Sequence, residues 1–415
     1  MQVPRHVTMF SLHTSPLEQP GSGDAGGMNV YIRQLALGLA DLGVSVEIVT
    51  IGDSPATELA PGVLVRHLDP RSLGLPGLGE TNTAKKSHPL KISKEKLPEL
   101  LPKLVDVLGT TGPGRTELLH SHYWISGVAA LPLAASWQLP LVHSMHTMAK
   151  VKDRYRLDGQ VREPSERAAG EDRIVHTATR LTANTHYEAR EIEFLYHGKA
   201  ERIDVIPPGV DLKVFRPGSQ AAARGELGID PQRLHVVFAG RLQRLKGAHL
   251  LIEAVALLHQ RRPELELQLS VIGSRSGPED YDLQKLAQQL GIAHLIGFES
   301  PKPPAELAQW FRSADLVAMP SSSESFGLVA LEAGACGTPV LATRVGGLVE
   351  AVQDQLTGTL VDGLDPHHWS IVLERTLNDP EQLKAMGRAA AIHAAGYSWQ
   401  HTAELTLESY QRALG

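Results

Sequence analysis

The sequence predicts an α/β protein built of two Rossmann-like, doubly wound domains in tandem. Three observations carry this. Short apolar runs of strand length alternate with stretches of helix length along the chain, the cycle restarts after Pro207-Pro208-Gly209, and 415 residues exceed what one ordinary core organises.

Val7 to Leu12 has the apolar character of a buried strand, Met28 to Leu42 that of a helix closed by Gly43, and Val44 to Ile51 that of a second strand. Leu118 to His120, Leu139 to Met145 and Arg180 to Ala183 continue the strands, with helices near Trp124 to Trp137, Glu166 to Thr177 and Thr185 to Tyr196. The segment Ser72 to Ser93 has little periodicity and is expected to be a long surface loop. Ile206 to Asp211, with its paired prolines, cannot continue a helix or a central strand, so the domain junction belongs there. Beyond it, strands are expected at His235 to Ala239, Leu267 to Ile272, His294 to Gly297, Leu316 to Met319 and Pro339 to Ala342. Helices should start near Gly247, Asp280, Pro304, Ser325 and Gly347. Two such domains leave a cleft, and functional residues should follow the carboxyl ends of strands.

Composition narrows the function. Hydrophobic residues at 42% and charged residues at 21% describe a globular chain, and a formal charge of −6 argues against a nucleic-acid partner. The single cysteine, Cys336, fits a small core residue in a reducing, cytoplasmic setting. No apolar run is long enough to span a bilayer, and the N-terminus lacks a signal-peptide pattern.

Four motifs bear on chemistry. Gly21-Ser22-Gly23-Asp24-Ala25-Gly26-Gly27 precedes a helix, where backbone N–H groups and the helix dipole suit a diphosphate or sugar phosphate; a plain surface turn is the alternative. His13 to Pro20 separate it from its strand, which makes it a poor dinucleotide fingerprint and a dehydrogenase a poor fit. In Gly240-Arg241-Leu242-Gln243-Arg244-Leu245-Lys246-Gly247, Arg241 and Lys246 can converge on one diphosphate and stabilise charge that grows on a leaving phosphate. In the third, Glu324 and Glu332 stand eight positions apart in a run read as helical, a rise of about 12 Å, so one carboxylate could hold each end of a nucleotide sugar. Amides of Ser325 to Leu328 would meet the phosphates between. The fourth comprises His120, His122, His143 and His146, where no acidic partner has metal-ligand spacing and His146, at a strand end, is the candidate for a cleft role.

At these residues the chain resembles the family-four retaining glycosyltransferases of GT-B fold, whose spaced glutamate pair matches Glu324 and Glu332. The run Ser11 to Tyr31 closely resembles the D-inositol-3-phosphate glycosyltransferases that open mycothiol synthesis. The resemblance implies transfer of N-acetylglucosamine from UDP to 1D-myo-inositol 3-phosphate, with retention and without a required metal. It implies a donor site of His13, Gln19, Pro20, Gly27, Arg241, Lys246, Lys302, Glu324 and Glu332, with Glu324 on the hexose, Glu332 on the ribose and Lys302 acting through its backbone. Catalysis would fall to His146, Arg241, Lys246 and Glu324. The implied acceptor site is Asp24, Ala25, Gly26, Gly27, Met28, Asn29, Lys94, Tyr123, Thr147 and Arg167, with Arg167 on the acceptor phosphate.

The same resemblance implies a structural magnesium held mainly by backbone oxygens near Phe311, Arg312, Ala314 and Thr338. It implies a last helix from Tyr397-Ser398-Trp399 onward that crosses back to the first domain, giving domains 1–206 plus 398–415 and 207–397. Fructose 6-phosphate or malate as acceptor, another UDP-hexose as donor, a homodimer, and a non-catalytic sugar-nucleotide sensor remain alternatives at this level.

Overall fold

The computed structural model describes residues 2–19, 25–73, 96–156, 161–275 and 281–415. The chain divides into two compact units: Met1–Glu18, Met28–Pro207 and Trp399–Gly415 form one, Gln19–Gly27 and Pro208–Ser398 the other.

Among the described residues, the first unit carries an eight-stranded sheet. Its strands are β1 (His6–Phe10), β2 (Ser45–Ile51), β3 (Thr57–Ala60), β4 (Val63–Leu68), β5 (Leu118–His122), β6 (Leu141–Ser144), β7 (Arg180–Ala183) and β8 (Ile203–Val205). Their order is β3-β4-β2-β1-β5-β6-β7-β8, parallel except for the β3–β4 pair. The chain thus builds outward from β1 in both directions, which puts the topological switch, and the crevice where open sheets bind ligands, between β1 and β5. Phe10, Leu12, Leu104, Leu119, Ile125, Leu133 and Ile174 join one buried cluster between the sheet and its helices. Helix His186–Tyr196 starts where the Thr185 hydroxyl accepts from Glu188 N and the Glu188 carboxylate accepts from Asn184 N, a reciprocal cap.

The terminal helix, Trp399–Leu414, belongs to this first unit. Trp399 stacks edge-on to Tyr31, the Thr402 hydroxyl donates to Pro207 O, and Asp204 accepts from both Ser409 and Arg412. Gly38 lies where an added Cβ would come within 2.8 Å of Ala403 Cβ, so the two helices touch closely.

The second unit, taken by itself, holds a six-stranded parallel sheet: β9 (Leu234–Ala239), β10 (Leu267–Ile272), β11 (Ile296–Glu299), β12 (Leu316–Met319), β13 (Val340–Thr343) and β14 (Gly358–Val361). The order β11-β10-β9-β12-β13-β14 places its switch between β9 and β12. Apolar clusters lie on both faces, one including Leu251, Leu269 and Trp369, the other including Phe311, Val317 and Leu331. Helices Pro366–Leu377 and Pro380–Ala395 each begin with proline after an aspartate whose carboxylate caps the first turn.

Three sequence expectations change. The boundary falls at Pro207/Pro208, and Gln19–Gly27 groups with the second unit, because Gln19 Nε2 donates to Pro301 O at 3.3 Å while Gly26 and Gly27 pack beside Arg241 and Leu328. The helix expected near Ser325 starts at Leu328. Strands β3, β4, β8 and β14 were not expected. The helix expected near Asp280 starts at Leu283, capped by the Asp282 carboxylate, which accepts from Lys285 N, and most of the Ser72–Ser93 loop lies outside the described residues. No described helix is long and apolar enough to cross a membrane.

Candidate active-site residues of the two units

In the first unit, β5 and β6 end on two residues in the left-handed region, Tyr123 at φ 70° and His146 at φ 59°. Side chains other than glycine, asparagine or aspartate rarely adopt that conformation, and each such residue costs about 1–3 kcal/mol, so two at adjacent strand ends mark a constrained site. Tyr123 stacks at 4.3 Å on His13, which follows β1 across the switch point. His146 packs edge-on against Tyr31, and its Nε2 lies 3.0 Å from His122 Nδ1. Burial, reinforced by His143 and His13, pushes the His146 imidazole down to about 3. It is therefore neutral at ordinary pH and acts as a hydrogen-bonding group, not a cation.

His120 bridges the Tyr410 hydroxyl of the terminal helix and Ser144 Oγ, at 2.7 and 2.8 Å, while His143 meets Ser121 Oγ. These two serve as core histidines. The Asn29 amide nitrogen donates to Thr14 Oγ1 and Ser15 O and so fixes the turn after β1.

Arg167 is 2% exposed and already partnered. Nε donates to Glu171, Nη1 to Glu163, and Nη2 to both the carbonyl and the hydroxyl of Thr147, at 2.7 to 3.0 Å. The Tyr123 ring lies 5.0 Å below the guanidinium. Glu171, fully buried, also accepts from Ala149 N and the Tyr196 hydroxyl. Burial opposes the arginine's charge, but Tyr123, Glu171 and Glu163 outweigh it and raise its pKa. Arg167 is thus a buried cation whose Nη1 meets the partly exposed Glu163 carboxylate. Lys152, Glu163 and Glu171 were not singled out beforehand. For Glu171 the signal was present: it stands four residues after Arg167 in the helix Ser165–Thr177, the reach of side chains along one helix face.

In the second unit, residues after β9 and β12 meet. Lys246 Nζ lies 2.5 Å from Glu324 Oε2. Backbone geometry fixes both: Gly247, at φ 75°, approaches so closely that a Cβ would fall 2.0 Å from Pro320 O, and Ser322 N donates to Leu245 O. Gly346, at φ 49°, leaves no room for a Cβ against Glu324 O, and Gly347 N donates to that same oxygen at 2.9 Å. Glu324 consequently precedes the helix Leu328–Ala335, and the helical rise assumed between Glu324 and Glu332 does not apply. Glu332 keeps a partly open surface, yet burial pushes its carboxyl up to about 8. Arg241 flanks Gly26, and the Lys302 side chain pairs with Glu299. Ala25 is fully buried, and Met28 is the second residue of the helix Gly27–Asp41. Pro20, Asp24 and Lys94 lie outside the described residues.

The positions of the magnesium expectation already carry hydrogen bonds. The Phe311 carbonyl already accepts from the Thr338 hydroxyl at 2.6 Å and from Ala314 N, and the Arg312 guanidinium holds the carbonyls of Val214 and Arg216. Among the described residues, no group of three or more His, Cys, Asp or Glu could hold a metal.

Two tandem Rossmann-like units, with cations and carboxylates converging after β9 and β12, define a sugar-transferring class of protein, and comparison agrees. Residues 26–209 match the family described as glycosyl transferase 4-like domain and residues 219–393 that described as glycosyl transferases group 1. The chain belongs to the family-four glycosyltransferases of GT-B fold. It is 51% identical to the D-inositol 3-phosphate glycosyltransferase of Arthrobacter sp. (strain FB24), covering 100% of this chain and 96% of that one. It is 48% identical to the protein of the same name from Paenarthrobacter aurescens (strain TC1), covering 98% of each. Among solved structures it resembles the sucrose-phosphate synthase of Thermosynechococcus elongatus, with a TM-score of 0.85, 27% identity and 98% of each chain covered.

Proposed function

We propose that this glycosyltransferase moves N-acetylglucosamine from UDP to 1D-myo-inositol 3-phosphate with retention at the anomeric carbon. The carrying observation is the Lys246–Glu324 pair, a cation for a departing diphosphate beside a carboxylate for sugar hydroxyls. Relatives at 51% and 48% identity, named D-inositol 3-phosphate glycosyltransferases, support the acceptor.

In this reading the second unit binds the donor. Glu324 accepts from hexose hydroxyls, Glu332 from the ribose, and Arg241 and Lys246 neutralise the diphosphate, with the amides of Ser325 to Leu328 beside them. His13, Gln19, Pro20, Gly27 and the Lys302 backbone complete the donor contacts. The first unit binds the acceptor through Tyr123, Thr147 and Arg167, with Lys94, residues 24–29 and neutral His146 contributing. The bond from the anomeric carbon to the diphosphate breaks and one to the acceptor oxygen forms on the same face. The acceptor hydroxyl's proton passes to the departing phosphate oxygen, so no protein base is required, and no step needs a metal. The lone buried Cys336 suits a cytoplasmic setting.

The test is UDP release from UDP-N-acetylglucosamine with 1D-myo-inositol 3-phosphate, fructose 6-phosphate, malate or unphosphorylated inositol. Turnover with inositol 3-phosphate alone, giving an α-linked product, is expected. The likeness to a sucrose-phosphate synthase favours fructose 6-phosphate as the second reading. Turnover with it instead would move the assignment there.

A further inference from the structure

The acceptor half of the molecule already holds an anion of its own. Glu163 places one carboxylate oxygen 2.8 Å from Arg167 Nη1 and the other 2.9 Å from Lys152 Nζ, so a single carboxylate bridges two cations. The two partners of Arg167 are not equivalent. Glu171 is fully buried and fixed by three donors, whereas Glu163 keeps 23% of its side chain exposed. A phosphate ester approaching this intact cluster finds the Glu163 carboxylate already between the two cations. With Glu163 turned away, it meets two cations arranged for two oxygens.

We propose that Glu163 is a displaceable stand-in for the acceptor phosphate: it occupies the position between Arg167 and Lys152 until a phosphate ester takes its place. This rests on the reading of a phosphorylated acceptor and adds Lys152 to its binding residues. Glu171 and Thr147 keep the guanidinium oriented throughout, so only Glu163 need move. Burial works against the Glu163 charge, but Arg167 and Lys152 overcome it and hold the carboxyl below its usual range, so it competes as an anion at neutral pH. A neutral polyol has no charge with which to displace it. The exchange therefore selects phosphorylated acceptors, beyond the preference that two cations alone would give.

The experiment is calorimetric binding of 1D-myo-inositol 3-phosphate, fructose 6-phosphate, inorganic phosphate and myo-inositol to the full chain and to Glu163→Gln and Lys152→Met. Removing the competitor should tighten phosphate binding about fivefold or more in Glu163→Gln and leave myo-inositol unmoved, while Lys152→Met weakens it about tenfold. Glu163→Gln binding phosphate esters no better than the wild type, with an unchanged melting temperature, would overturn the proposal. So would an unaltered phosphate affinity in Lys152→Met, which leaves the Glu163–Arg167 pair intact and covers the case in which Glu163→Gln folds poorly. If fructose 6-phosphate alone binds and shows both effects, the inositol assignment fails while the stand-in remains. If no phosphate binds any variant, both fall.

Discussion

The Lys246 ammonium rests 2.5 Å from the Glu324 carboxylate, joining the turn after β9 to the loop after β12. Both side chains are partly exposed, so the pair contributes at most about 1 kcal/mol to stability, and its arrangement is maintained by the backbone around Gly247 and Gly346. Lys246→Ala and Glu324→Gln should therefore melt close to the wild type. Turnover should fall about 100- to 1,000-fold in each, as expected when a group that meets transition-state charge is removed. Only Lys246→Ala should also weaken UDP by calorimetry, because Glu324 is assigned to the sugar. Near-normal UDP release in either variant would place the chemistry elsewhere.

Arg167 supports structure as well as ligand. Replacing it with alanine strips Glu171, fully buried, of its charge partner, and breaking a buried pair from one side costs about 3–5 kcal/mol. Arg167→Ala should consequently unfold at markedly lower urea concentration, so its inactivity alone says little about phosphate binding. The double variant Arg167→Met with Glu171→Gln, which removes both charges, should recover much of that loss. An unchanged urea midpoint for Arg167→Ala would show that the pair contributes nothing to the fold.

Glu332 couples donor binding to pH. Its folded pKa, about 8, lies above the ordinary 4.5, so between these values the folded chain holds a proton that the unfolded chain has lost. The folded state binds more protons in that window, and stability from this group falls as pH rises through it. Glu332→Gln removes the dependence and should be more stable than the wild type near pH 8, with the gap closing toward pH 4.5. If the ionised carboxylate accepts from the ribose, UDP binding near pH 7 releases up to about one proton. Calorimetry in two buffers of different ionisation enthalpy measures this, and equal enthalpies in both would remove Glu332 from the ribose site.

The sheet order's consequences were legible because central parallel strands are continuous apolar runs: β1, β2, β9 and β12 stand out, and the switch-point rule then points to Arg241, Lys246 and Glu324. Strand β3, at the edge and largely exposed, carries no such signature, β8 spans only three residues, and β14 opens on Gly358-Thr359, which reads as a turn. The start of helix Leu328–Ala335 was misplaced because Ser325 resembles a cap, while Gly327 in the left-handed region delays the first turn. The bridging of Lys152 and Arg167 by Glu163 depends on where the chain before helix Ser165–Thr177 returns, which spacing alone does not reveal.

The histidines behind β5 and β6 make acid the weak side of the first unit. Burial pushes His143 and His146 down to about 3, and His120 and His122 well below the ordinary 6.5, so all four fold neutral. Below pH 6.5 the unfolded chain takes up protons that the folded chain refuses, so stability rises with pH through this window and is lost on acidification. Each histidine contributes up to about 1.4 kcal/mol per pH unit there. Urea midpoints should drop steeply below pH 6.5, and His146→Asn, whose side chain tolerates the φ of 59°, should make that drop shallower. Because His146 is neutral throughout, kcat should show no limb of its own between about pH 6 and 8, yet His146→Asn should lower kcat if His146 contributes to the acceptor site as proposed. A limb near pH 6.5 that vanishes in His146→Asn would mean that the imidazolium is the working form, and that the site admits far more water than its burial allows.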